Sequence, residues 1–417
     1  MRPSAGRRTR LPFHPCSSVF ICGSVNSFDE ELHRRLDAIR AQGLHRELRR
    51  VDSPQGPRIQ IAGRALLNFS SNDYLGLANH PTLKTAAVHA VEKFGAGAGA
   101  SRLVCGSLAP FHELEETLAA FKATEAAVTF ATGYAAALGT ITALLGKDDI
   151  IITDQLIHAS MVDAARLGGA KLRIFAHNDL NDLEAILKWA TQGPRQILIV
   201  TESVFSMDGD HAPLRELVAL KERYGAWLMV DEAHATGLYG ANRRGLAEAL
   251  GVSDRIEIQM GTLGKALGAS GGYVCGSRAL IDFLVNRARS FIFSTAPVPA
   301  AAAAAMAGVR LVQSDEGKAR RDQLWQRAAA LKSEIPNLKS DHASAIIPLI
   351  VGDEGQALAT ASALRERGFF VPAIRYPTVA RGAARLRITL TANHAMNDII
   401  ELTRALKTLD FGLKTSD

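Results

Sequence analysis

Apolar residues follow two rhythms along this chain. From Phe28 to Val51, Leu32, Leu36, Ile39 and Leu44 recur among charged residues, a spacing that predicts an amphipathic helix. Elsewhere the apolar residues run unbroken, as buried strands do. Ile197-Leu-Ile-Val-Thr201, Trp227–Val230, Ile256–Met260 and Gly272-Tyr-Val-Cys275 are the clearest, with Val128-Thr-Phe-Ala131 a further short run. Ile61 to Phe69 reads as a short strand pair feeding the loop Ser70–Leu77. From Pro81 to Met306 such strands alternate with helical patterns, Thr82–Phe94 among them. That alternation predicts an α/β sandwich around a mostly parallel sheet. Pro299 followed by Ala300–Ala305 looks like a helix opened by proline in its first turn. It bridges to a smaller α+β C-terminal domain, with strands at Ala345–Val351 and Arg385–Leu390 and helices near 355–368 and 396–408. The expected divisions are a basic leader (1–26), an N-terminal helix and strand segment (27–80), a large domain (81–306) and a small domain (307–417).

Length and composition narrow the class. A chain of 417 residues that is 47% hydrophobic can bury a large core. No apolar run reaches the about 18 residues of a membrane span. Cys16, Cys22, Cys105 and Cys275 show neither C-x-x-C nor metal-ligand spacing, which fits a reducing compartment and no metal. The net charge of +6 hints at nucleic acid, but Arg2, Arg7, Arg8 and Arg10 supply +4 of it and residues 1–28 hold no acid. The remaining +2 gives no support for a nucleic-acid partner. An Arg-rich, acid-free leader has the composition of a transit peptide. A disordered extension or an upstream start codon is the favoured reading, with a cytoplasmic enzyme behind it.

Chemistry concentrates in two segments. Gly261-Thr-Leu-Gly-Lys265-Ala-Leu-Gly268 puts one lysine in a turn whose neighbours are too small to shield it. A lysine that forms a Schiff base with a bulky carbonyl cofactor requires such a place, although many loop lysines also sit in glycine turns. Upstream, Ala226-Trp-Leu-Met-Val230-Asp231-Glu232-Ala233-His234 ends a buried strand in a carboxylate. Ligands gather at that edge of open α/β sheets, so Asp231 can meet a protonated ring nitrogen and His234 a ring oxygen. The plainer reading of Asp231 is a cap or turn residue. Asp-Glu-Ala-His also spells a helicase box, but none of Gly146-Lys147, Gly264-Lys265 and Gly317-Lys318 is followed by Ser or Thr, so the phosphate loop is missing. Gly95-Ala-Gly97-Ala-Gly99 mimics a dinucleotide fingerprint but follows a helix rather than a strand, which excludes NAD binding and leaves a glycine hinge.

These segments resemble the α-oxoamine synthases, a family of pyridoxal-phosphate enzymes with the fold type I, aspartate-aminotransferase-like architecture. The resemblance also runs through Asn68–Leu77, Gly97–Gly106, Asp154–Ser160, Thr201–Asp210, Ala373–Val379 and Ala384–Ala392, about residues 27 to 410 in all. It implies catalytic roles for Lys265, His158 and Asp231, with His158 stacked on the cofactor ring. Without it, His158 is as readily a surface or capping residue. Gly133, Tyr134, Ser206, His234, Thr262, Ser294 and Thr295 are the other implied cofactor contacts. Gly133 and Tyr134 stand at a helix start suited to phosphate, though alone they read as an ordinary strand-to-helix turn. Ser294 and Thr295 match a segment that reaches the partner's phosphate, which implies a homodimer. Arg46, Asn72, Thr378 and Arg387 are the implied substrate contacts. Arg387 lies in an apolar strand, where an unpaired guanidinium is costly. It therefore needs either the amino-acid carboxylate or an internal salt bridge. The implied substrates are L-alanine and a pimeloyl group on CoA or a carrier protein, joined with loss of carbon dioxide. Glycine with acetyl-CoA is the nearest alternative, and a non-catalytic partner subunit the most distant. Tyr376 and Ala380 stand where that motif usually carries prolines.

Overall fold

A computed structural model describes residues 27–193, 195–335 and 343–409. The basic leader, with Cys16 and Cys22, lies outside the described residues. The chain divides between Arg49 and Arg50 into two units.

In the first unit the helix spans Ser27–Ala41, not the full stretch to Val51. Gly43, at φ +67°, turns the chain into the left-handed region. The Leu44 amide then donates to the Ile39 carbonyl (3.0 Å) and the Gly43 amide to Arg40 (2.9 Å), a Schellman closure. Arg46 consequently lies beyond the helix that was expected to carry it.

Among the described residues, the second unit contains three sheets. β1 (Arg58–Ile61) and β2 (Arg64–Asn68) form a hairpin, turned by Ala62 and Gly63, both at positive φ. Seven strands form the large sheet: β3 (Ala126–Phe130), β4 (Ile150–Asp154), β5 (Lys171–Phe175), β6 (Ile197–Glu202), β7 (Trp227–Asp231), β8 (Ile258–Thr262) and β9 (Gly272–Gly276). Their order is β3-β9-β8-β7-β6-β4-β5, and β9 alone is antiparallel to its neighbours. β10 (Ile346–Gly352), β12 (Ala373–Ile374) and β13 (Ala384–Thr389) make an antiparallel sheet ordered β10-β13-β12. β11 (Phe369–Phe370) instead joins β2 in parallel. β8 runs two residues later than the apolar pattern suggested, so Gly261 and Thr262 belong to the strand.

The alternating strand residues explain the layering. Leu198, Val200 and Met229 pack on one face with Ile141, Met161 and Leu284. Ile197, Ile199, Leu228 and Val230 pack on the other with Leu183, Leu187 and Leu217. A sheet buried on both faces leaves only its strand ends for polar work. Asp154, Glu202, Asp231 and Thr262 all occur at the C-terminal ends of parallel strands.

The helix Pro299–Gln313 fixes the turn that follows β8. Gly308 sits mid-helix, where alanine is ordinarily about 1 kcal/mol better. A Cβ there would run into the carbonyl oxygen of Leu267, two residues from Lys265. Gly308→Ala is therefore expected to lower stability by about 1–3 kcal/mol through overpacking. Urea unfolding reads this directly, and an unchanged or raised midpoint would refute the contact.

Candidate active site

Adjacent strand ends bring the key groups together. Asp231 closes β7, and Glu202, in register beside it, closes β6. Both are buried, at 7% and 2% exposure. Asp231 Oδ1 accepts from the Ala233 amide (2.8 Å). Burial raises the Asp231 carboxyl above its ordinary range, opposed chiefly by the charge of Lys265. Glu202 is pushed up to about 8, first by burial and then by the neighbouring charge of Asp231, and its Oε1 has no partner among the described residues.

Lys265 lies in the turn after β8, closed by hydrogen bonds from Leu263 to Gly271 (2.9 Å), Gly268 to Lys265 (2.9 Å) and Ala269 to Leu263 (2.8 Å). Gly268, at φ +68°, has Leu77 C only 2.6 Å from where a Cβ would stand, so the turn is seated on the Ser70–Leu77 loop. Among the described residues, the Lys265 side chain makes no hydrogen bond or ion pair. Its ammonium pKa is lowered by burial, with Asp231 and Glu202 opposing and Arg387 adding to the fall. Disfavouring the ammonium in this way suits a lysine to act as nucleophile or base.

The Ser70–Leu77 loop is held by Asp73, which accepts from the Leu77 and Ala78 amides at 2.7 and 3.1 Å. It delivers Asn72 and Tyr74. The buried Tyr74 hydroxyl lies 2.6 Å from His234 Nδ1. Burial pushes the phenol up to about 12, and the same burial holds His234 well below its ordinary value. A protonated phenol facing a neutral imidazole donates to Nδ1, leaving Nε2–H free to donate elsewhere.

Arg387, 5% exposed in β13, donates from Nε to the Ser206 carbonyl (2.6 Å) and from both terminal nitrogens to Asn72 Oδ1 (3.2 Å each). No carboxylate lies within ion-pair distance of it among the described residues. Two residues away, Arg385 is paired with Asp208. Arg385 thus has the carboxylate partner that Arg387 lacks among the described residues, and Arg387 keeps capacity for an anion.

A helix start and a hydroxyl unpartnered among the described residues meet at the end of β8. Thr132 caps the helix Gly133–Leu144 by accepting the Ala135 amide (3.0 Å), while the first-turn amides of Gly133 and Tyr134 have no carbonyl within the helix to bond. A Cβ on Gly133 would stand 2.6 Å from Thr262 Cγ2, so the helix start and the end of β8 touch. Thr262 Oγ1 is buried without a partner among the described residues. An orphan hydroxyl beside a helix N-terminus fits a phosphate. His158 caps the helix Ala159–Gly168, its Nδ1 taking the Ser160 amide (3.2 Å) and lying 2.8 Å from Ser160 Oγ. It caps this helix while the residue keeps an exposed edge, and its imidazole is lowered first by partial burial, with Asp231 opposing and Lys265 adding to the fall. Tyr134 is half exposed and donates to Asp163 (2.9 Å). The Ser206 amide donates to Glu202 Oε2 (3.2 Å).

Other expected contacts stand apart. Ser294 and Thr295 are exposed, Thr295 bridging Ser101, and no hydrogen bond joins them to the cluster among the described residues. Thr378 is exposed in the loop after β12, its amide donating to the Arg375 carbonyl (3.0 Å). Arg46 belongs to the first unit. Tyr74 and Glu202 escaped the sequence reading. Glu202 carries the same signal as Asp231, a carboxylate ending an apolar run; Tyr74 had no local signal. Glu232, the other acid of Asp-Glu-Ala-His, points to the opposite side, pairing with buried Lys122 (2.7 Å) and accepting the Ala247 amide (2.8 Å).

The chain is similar to known proteins over most of its length. The model of the family "Aminotransferase class I and II" matches residues 64–406. An 8-amino-7-oxononanoate synthase of Anaeromyxobacter dehalogenans is 51% identical over 86% of this chain and 90% of its own length. One from Geobacter sulfurreducens is 49% identical over 89% and 95%. The solved serine palmitoyltransferase of S. paucimobilis with bound PLP and myriocin superposes with a TM-score of 0.85, at 30% identity, over 92% of this chain and 98% of that one.

The contrast between the two arginines is testable. Arg387→Ala is expected to weaken amino-acid binding by about 10²-fold, the scale for losing one partner of a buried charge pair, with acyl-thioester affinity spared. Titration of each substrate separately reads this. Equal losses for both substrates would make Arg387 a structural residue.

Proposed function

We infer a specific reaction for this chain, which belongs to the class I and II aminotransferase family and, within it, to the α-oxoamine synthases, pyridoxal-phosphate-dependent acyltransferases. The reaction is the condensation of L-alanine with a pimeloyl thioester to 8-amino-7-oxononanoate, releasing carbon dioxide and the thiol, a step of biotin synthesis. The observation that carries it is Arg387, buried with no carboxylate within ion-pair distance among the described residues, together with Lys265, whose ammonium form burial disfavours. An α-amino acid has a carboxylate for one and an acidifiable α-proton for the other. The names of relatives near 50% identity support the choice of alanine and pimeloyl.

Bound pyridoxal phosphate supplies the carbonyl that takes up the amino group and a protonated ring that accepts electron density from the α-carbon. This chain's residues do the rest. Thr262 and the amides of Gly133 and Tyr134 hold the phosphate, with Ser206 a further contact. Asp231 keeps the ring nitrogen protonated, since a cation against this buried carboxyl restores its charge. His158 would serve as the platform for the ring, and His234, whose Nδ1 is occupied by Tyr74, would offer Nε2–H to a ring oxygen. Arg387 and Asn72 hold the alanine carboxylate. Lys265 Nζ removes the α-proton as general base and returns a proton after the carboxylate has left as carbon dioxide. Thr378 is assigned to the acyl donor.

The working molecule is a cytoplasmic homodimer. Val104 and Phe293, 78% and 70% exposed, flank the Ser101–Thr295 bridge and favour burial against a second copy. Ser294 and Thr295 then serve the partner's phosphate. No described helix is long and apolar enough to cross a membrane.

Substrate pairs decide the reading. With purified holoprotein, L-alanine plus pimeloyl-CoA is expected to outpace glycine plus acetyl-CoA by at least about tenfold, the low end of discrimination available from apolar groups. The product is identified by mass. Faster turnover of glycine with acetyl-CoA would reassign the enzyme to 2-amino-3-ketobutyrate formation.

A further inference from the structure

His177 belongs to none of the groups assigned above, yet it joins two loops that carry them. It follows β5, and its ring is held at both nitrogens. Nδ1 lies 2.9 Å from Asp154 Oδ1 and Nε2 lies 2.7 Å from Asp210 Oδ2. The ring meets Phe205 edge-on, with centroids 4.4 Å apart. The next residue, Asn178, held at φ +58°, repeats the bridge. Its amide donates to Asp154 Oδ2 (2.9 Å) and its side chain to Asp210 Oδ2 (3.3 Å) and the His211 carbonyl (3.1 Å). Burial opposes a charge here, but two carboxylates outweigh it and push the imidazole up to about 10. The ring is therefore an imidazolium donating at both ends.

Each carboxylate leads to the site. Asp154 closes β4 and also accepts the Leu156 amide (2.7 Å), shaping the turn that ends at His158. Asp210 closes the loop after β6. Its carbonyl accepts the Phe205 amide (3.0 Å), and the Gly209 amide donates to the Phe205 carbonyl (2.8 Å). Within that closed loop lies Ser206, whose carbonyl holds Arg387 Nε. Asp208 of the same loop pairs with Arg385. No direct bond connects the His158 turn with the Ser206 loop in the hydrogen-bond pattern of the described residues, apart from the histidine–asparagine bridge and the Glu202 contacts behind it.

We propose that His177 is a positioning residue, a charged clamp between Asp154 and Asp210 that fixes the Arg387-bearing carboxylate site relative to the His158 platform. It rests on the amino-acid site described above but not on which amino acid or acyl group is used. A displacement of about 1 Å in such a site can cost roughly 10²-fold, so a loosened clamp should be visible in binding. A residue that merely stabilised the fold would shift unfolding without altering ligand preference.

A double-mutant cycle tests this on the holoprotein. His177→Gln and Asp210→Asn each remove one side of the Nε2 bond. Amino-acid affinity is read from the cofactor absorbance change as L-alanine is added, cofactor affinity by dialysis, and stability by thermal unfolding. Each single variant is expected to bind alanine about tenfold more weakly and to keep cofactor affinity within twofold. The double variant should lose no more than either single, because both break one interaction. Alanine affinity within twofold of wild type in the single variants, or losses that multiply in the double, would overturn the proposal, whatever happens to the melting temperature. If His177→Gln does not fold, Asp210→Asn alone still decides: unchanged alanine affinity refutes the clamp. Wild-type protein that shows no response to alanine but responds to another amino acid would revise the substrate reading, and the same cycle would then be run with that amino acid.

Discussion

Glu202 and Asp231 stand abreast on neighbouring strands of a sheet buried on both faces, and burial there penalises any unbalanced charge. The arrangement is tolerable only with cations nearby. Lys265 acts on both carboxyls electrostatically and Arg387 acts on Lys265, and neither cation is bonded to a carboxylate among the described residues. The parallel sheet sets the carboxylates, the helix Pro299–Gln313 and the Ser70–Leu77 loop seat the lysine turn, and β13 brings in the arginine. Glu202 rising to about 8 relieves the repulsion, and Asp231, raised as well, is the carboxyl whose charge a protonated ring nitrogen would restore.

The polar groups behind this edge have a different task. Lys122 and Glu232 form a closed pair, with the Lys122 ammonium also donating to the Arg244 carbonyl (2.6 Å) and Glu232 accepting the Ala247 amide. Breaking such a pair leaves a stranded buried charge, so it anchors the segment next to Asp231 without joining the chemistry. Within four residues, Asp-Glu-Ala-His therefore supplies one acid to the site and one to the frame. Strand alternation separates them: neighbouring side chains on an extended backbone leave on opposite sides.

Much of the site was legible because it is local. An apolar run ending in Asp231, the glycine turn around Lys265 and the helix start at Gly133 each sit within a dozen residues, and the fold places them as the patterns implied. What escaped was long-range. Arg387 meets Asn72 across more than three hundred residues, Tyr74 meets His234 across 160, and no local pattern encodes either contact. The choice between anion site and salt bridge for Arg387 was open in the sequence. In the fold Arg387 has no ion-pair partner among the described residues, and Asp208 pairs with Arg385. The N-terminal helix was overextended because its apolar spacing continues to Leu44, whereas Gly43 ends it through backbone geometry.

The central claim is that Asp231 holds a protonated ring nitrogen and that this charge makes the α-proton removable by Lys265. Exchange of the alanine α-hydrogen into deuterated water, measured without any acyl donor, isolates that step. Asp231→Asn keeps the size and a hydrogen bond but removes the charge, and the exchange rate should fall by about 10²–10⁴ while alanine still binds. Exchange at close to the wild-type rate would contradict the account and return Asp231 to the role of a strand-end cap.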